Sequence, residues 1–97
     1  MCLPVWYKAA NETEWHAGLT ENVSSTGALI RADSPVVPTQ PVVVAITLPS
    51  VEGCLIGRGR IVRAVETPAP MAFATFAVTV KRYRIDRYES VLPGITR

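Results

Sequence analysis

Apolar and polar residues alternate along this chain in short runs, and turn-forming residues separate the runs at fairly regular spacing. In the first run Leu3, Val5, Tyr7 and Ala9 share one face and Trp6 and Lys8 the other, which predicts a strand over 3–10. Asn11-Glu12-Thr13-Glu14 reads as a polar hairpin turn. Trp15 to Asn22 alternates again, and the pattern assigns Trp15, Ala17 and Leu19 to one face and His16, Thr20 and Asn22 to the opposite, polar face. A turn through Ser24 and Gly27 leads to a short third strand over Ala28–Ala32. Asp33 to Pro41 is a loop, because Pro35, Pro38 and Pro41 each remove a backbone donor.

Val42 to Leu48 is nearly continuous in apolar residues and predicts a strand covered on both faces. Pro49 to Gly53 turns the chain. Cys54 to Glu66 is a fifth strand with broken parity. Leu55, Ile61 and Val65 share a face with Arg63, while Ile56 and Val62 share the other with Arg58 and Arg60. Gly57 and Gly59 are where a bulge would reset the faces. Thr67-Pro68-Ala69-Pro70 is another turn. Met71 to Lys81 is a clean sixth strand, with Phe76, Val78 and Val80 on one face and Thr75, Thr79 and Lys81 on the other. After Tyr83, residues Ile85, Tyr88, Val91 and Leu92 recur at spacings of three and four, which predicts a short C-terminal helical turn stopped by Pro93-Gly94.

Six short strands with almost no helix predict an all-β fold, a small six-stranded antiparallel β-barrel. Closure removes the edges that a flat sheet would expose. The 97 residues are enough for one domain, 1–97, with a single core. With 48% apolar and 19% charged residues, the composition is globular rather than disordered. No apolar run is long enough for a membrane-spanning helix. Met1 to Val5 lacks the charged and apolar regions of a signal peptide, so a cytoplasmic location is the expectation.

Chemistry narrows the classes further. His16 is the single histidine, and with Cys2 and Cys54 it offers at most three of the four ligands a zinc site needs. Both cysteines are expected to be buried free thiols. The carboxylates are scattered and no nucleophile–base arrangement emerges, so neither an enzyme nor a cofactor is expected. Gly57-x-Gly59 lacks the third glycine and the following helix of a dinucleotide fingerprint. Lys81-Arg82-Tyr83-Arg84 with Arg87 is the densest basic stretch. Asp86 and Glu89 offset it, and a net charge of +2 is mild, so solvated charges are expected there and no nucleic-acid partner.

The remaining candidate is Asn22-x-Ser24-x-x-Gly27. Asn22 offers an amide that donates and accepts, Ser24 a hydroxyl, and Gly27 a backbone that can be approached closely. As an isolated pattern it also describes an ordinary side-chain-capped turn. Its surroundings add weight. Asn22-x-Ser24-x-x-Gly27 at the end of the second strand, Gly59-Arg60-Ile61-Val62-Arg63 in the fifth, and the aromatic-led, Ala/Val-rich run from Phe73 to Val80 together resemble the PilZ domain family in order and spacing. The resemblance implies a six-stranded β-barrel in a bacterial signalling pathway. It also implies a ligand, cyclic di-GMP, hydrogen-bonded by Asn22 and Ser24 and admitted to the backbone at Gly27.

One departure matters. Messenger-binding members carry Arg-x-x-x-Arg before the first strand, supplying bidentate donors and positive charge. Here only Met1 and Cys2 precede Leu3, and no two arginines in the chain are four apart. Losing two charge-assisted contacts of ~1.5–3 kcal/mol each weakens or abolishes binding. Either the arginine loop lies outside these residues, or the chain is a divergent member. Arg58, Arg60 and Arg63 are the auxiliary candidates for the missing charge. The alternative function is a PilZ-like module that works by protein contact, with Trp6, Tyr7 or Trp15 forming an exposed apolar patch. A further rival is a small barrel that binds single-stranded RNA through Lys81, Arg82, Tyr83 and Arg84.

Overall fold

The alternation becomes six strands. The computed structural model describes residues 2–32, 39–48, 53–66 and 74–87, with the side chains of 65 and 66 excepted. The strands are β1 (Pro4–Ala9), β2 (His16–Ser24), β3 (Gly27–Ala32), β4 (Pro41–Thr47), β5 (Gly53–Glu66) and β6 (Ala74–Arg87). Every pairing is antiparallel, and the order β1-β2-β3-β6-β5-β4 closes on itself through the β1–β4 pair. Two three-stranded meanders, β1 to β3 and β4 to β6, thus share both of their outer edges and leave none unpaired.

The barrel interior is filled by the inward half of each alternation. Val5 and Tyr7, Ile30, Val44 and Ile46, Ile61, Phe76, Val78 and Val80 form one buried cluster. The Tyr7 and Phe76 rings meet edge to face at 5.0 Å, an arrangement that aligns ring edge with ring face. Val42 to Ile46 is buried without interruption, as expected of a strand covered on both sides. On its outer face Val43 and Ala45 join Cys54 and Ile56 in a second cluster, against which Trp6 and Trp15 pack.

Several expectations need correction. Before Glu21 the faces of β2 are the reverse of the predicted ones, since Thr20 is fully buried and Leu19 is 41% exposed, while Asn22 is exposed as expected. Thr20 is tolerated inside because its Oγ1 accepts a hydrogen bond from the Leu3 amide at 2.8 Å, while its own amide donates to the Leu3 carbonyl at 2.9 Å. Burial therefore leaves neither group without a partner. Arg63 does not share a face with Ile61, because Val62 is an extra residue between the Ile61–Val78 and Arg63–Ala77 pairs. The sixth strand runs on to Arg87, so Ile85 is in a strand and not in a helical turn. Cys2 is exposed; only Cys54 is buried. The rest of the predicted helical turn, the start of the sixth strand at 71–73, the turns at 49–52 and 67–70 and most of the proline-rich loop lie outside the described residues.

Candidate functional site

A bulge sets the orientation of the candidate residues. Thr20 pairs with Ile30 and Asn22 with Leu29, so Glu21 is an extra residue in β2. An uninterrupted strand would carry Thr20, Asn22 and Ser24 on one face. The extra residue reverses the parity: Val23 packs against the core, and Asn22 and Ser24 are exposed on the outside of the barrel. Glu21 itself lies 3.8 Å from Arg31.

Ser24 pairs with Gly27 across a two-residue loop, Ser25-Thr26. The Ser24 hydroxyl lies 3.3 Å from the Thr26 hydroxyl, donates to the Gly27 carbonyl at 3.4 Å and accepts from the Thr26 amide at 3.4 Å. All three distances are long for hydrogen bonds, so the hydroxyl is only weakly engaged by its own turn. The Val80 amide donates to the Thr26 carbonyl at 2.8 Å and ties the loop to β6. At Gly27 the space a Cβ would need is taken by the Val78 carbonyl of β6. The glycine is therefore required for close strand approach, independently of any ligand. Gly59 is in the same position against the Thr79 carbonyl.

Reading across the sheet from these residues gives two rows. One runs Ser24–Gly27–Thr79–Arg60, and the other Asn22–Leu29–Ala77–Arg63. Three inter-strand steps of about 4.8 Å span roughly 14 Å from the β2 residue to the arginine in each row. Asn22, Ser24, Arg60 and Arg63 are all exposed. They mark the corners of an outward patch whose middle consists mainly of small residues, Gly27, Ala77 and Thr79. Arg60 is positioned: its guanidinium donates to the Thr39 carbonyl at 3.1 Å. Thr39 has a φ of 69°, a conformation that costs a β-branched residue of order 1–3 kcal/mol. Its amide donates to the Ile61 carbonyl, and the Ile61 amide donates to the Gln40 carbonyl at 3.1 Å, which locks this segment to β5.

Arg58 does not join the rows. It lies two residues along β5 from Arg60, where Lys81 and Arg82 of β6 occupy the interval matched by Arg58 alone. The bulge expected at Gly57 and Gly59 is present, but β6 supplies the extra residue. That sets three cations together, a grouping invisible in the sequence until the register is known.

The other residues singled out in the sequence have structural partners. The His16 ring stands 5.5 Å from that of Tyr7, and its Nε2 is 3.9 Å from Glu12. The Glu12 carboxylate also accepts from the Ala9 amide at 3.1 Å and caps the end of β1. Burial, and secondarily the Asp86 charge, pushes the Cys54 thiol above its ordinary pKa of 9.0. That holds the thiol protonated, the opposite of an activated nucleophile.

Comparison with protein-family models, with curated proteins and with solved structures finds no match to this chain.

Proposed function

We propose that the chain is a PilZ-like binding module for cyclic di-GMP in a bacterial signalling pathway, with Asn22, Ser24 and Gly27 as the primary contacts and Arg60 and Arg63 supplying positive charge from the barrel itself. The observation that carries this reading is the pair of cross-strand rows. They put an arginine level with each polar residue of the motif on one exposed face. Cyclic di-GMP has two guanines and two phosphate charges. Such a ligand calls for amide and hydroxyl groups at one end of the patch and planar cations at the other. Arg60, already held by the Thr39 carbonyl, has less freedom to lose on binding.

The protein-contact alternative has less support. Tyr7 is inside the barrel, and Trp6 and Trp15 are half-buried against the outer cluster. Leu19, Val62 and Ile85 are exposed but belong to three different strands. The two readings separate by titration of the messenger against single variants. Arg60→Ala or Arg63→Ala should each weaken binding about 10- to 150-fold, the equivalent of one charge-assisted hydrogen bond. Unchanged affinity in both variants would remove the arginines from the site.

A further inference from the structure

The cations gathered by the β6 bulge form a second feature, on the outside of β5 and β6 and independent of the reading above. Arg58, Lys81, Arg82 and Arg84 surround a hollow of about 330 Å³, with Ile56 and Tyr83 completing its wall. All four cationic side chains are exposed. Among the described residues, the carboxylate that pairs with a member of the group is Asp86, 3.6 Å from Arg84. Like charges facing each other across strands destabilise a sheet, so this crowding is costly in the absence of an anion. The Tyr83 ring packs against the interior cluster of the barrel. Gly57, opposite Tyr83, has no Cβ, and a Cβ there would lie 3.0 Å from the ring. The ring thus rests directly on the β5 backbone.

We infer that this hollow is a binding site for a small ligand carrying a diphosphate or longer phosphate chain. Guanidinium groups bind phosphate oxygens in a bidentate manner, and Lys81 adds a mobile point charge. Convergence of the four cations on one hollow of this size favours a compact polyanion over a long backbone, which calls for a stripe of charge. Phosphate chains occur both in free nucleotides and, as spaced single charges, in nucleic acid, so the test must distinguish these sources.

The test is an amide NMR titration of the full chain with inorganic pyrophosphate, with sulfate at matched ionic strength as control. Saturable shifts at Arg58 and Lys81 to Arg84, absent with sulfate, are expected. They should be lost in an Arg82→Glu variant and in a Lys81→Ala/Arg82→Ala double variant, and kept in Asn22→Ala. Equal responses to sulfate and pyrophosphate, or shifts centred on Asn22 to Gly27, would overturn the assignment. So would tighter binding of a ten-nucleotide oligouridylate with a steep salt dependence, since that would make the hollow part of a nucleic-acid surface.

Discussion

Thr20 and Asn22, two residues apart in β2, pair with the consecutive residues Ile30 and Leu29 of β3, so one is buried and the other faces solvent. The extra residue between them, Glu21, decides which side chains of the hairpin are available to a ligand. Its side chain contributes little, because it forms only a partly exposed ion pair with Arg31 at 3.8 Å. What matters is that it stands opposite no residue of β3.

Deleting Glu21 should therefore leave the faces as they are. Asn22 would then follow Thr20 directly and still pair with Leu29, which keeps Thr20 and Val23 inward and Asn22 and Ser24 outward. Glu21→Ala should stay within about 0.5 kcal/mol of the parent by urea unfolding, and the deletion should lose no more than about 1 kcal/mol. A loss of several kcal/mol in the deletion alone would show that the hairpin needs the bulge for more than the facing of its side chains.

Thr20→Val keeps the shape of a fully buried side chain and removes the acceptor for the Leu3 amide. The amide is then left unpaired at a cost of ~1–3 kcal/mol. Thr20→Ser, which keeps the hydroxyl, should recover part of this in the same unfolding measurement. If the valine variant were as stable as the parent, the buried hydrogen bond would be immaterial.

Gly27→Ala and Gly59→Ala should both destabilise the barrel by more than about 2 kcal/mol, because β6 carbonyls occupy the space of the new methyl group. Loss of ligand binding in Gly27→Ala would thus not identify a ligand contact unless the variant is shown to be folded. A thermal melt settles it. A melting temperature equal to the parent's would mean that β6 moves aside freely.

High pH should weaken the fold. Burial, with Asp86 adding to it, raises the Cys54 pKa above 9.0, and burial raises that of Tyr83 above 10.0. The unfolded chain then loses these protons at lower pH than the folded chain does. Their stabilising contribution is complete below the unfolded values and is lost as pH climbs through the raised folded ones. Unfolding free energy should accordingly fall above about pH 9, with a shallower decline in Cys54→Ala. Identical slopes in parent and variant would exclude Cys54 as a source. At neutral pH a thiol reagent should modify exposed Cys2 and spare Cys54 until the protein unfolds.

Much of the architecture is legible in the chain because its strands obey a period of two. Val5 and Tyr7 alternate with Trp6 and Lys8, and the unbroken run Val42 to Ile46 announces burial on both faces. The errors fall where a strand holds a residue its partner does not match. At Glu21 no glycine marks the bulge, so the faces of β2 read inverted and Thr20 passes for a surface residue. At Val62 the same omission puts Arg63 on the wrong side. Gly57 and Gly59 do mark their bulge, but they do not tell which strand bears the extra residue. The grouping of Arg58 with Lys81 and Arg82 is therefore not legible in the sequence. Asn22, Ser24 and Gly27 could be picked out as candidates. Their level placement with Arg60 and Arg63 required the strand order, because β3 is followed across the sheet by β6 and not by β4.

The most direct measurement is isothermal titration of the chain with cyclic di-GMP, with GMP as control. One saturable event at micromolar affinity or tighter is expected with the dinucleotide and not with GMP. Ser24→Ala should abolish it while leaving the melting temperature nearly unchanged, and Arg60→Ala should reduce it. No heat at millimolar ligand, or binding that Ser24→Ala and Arg60→Ala leave intact, would contradict the proposed site and move the function of this barrel to protein contact.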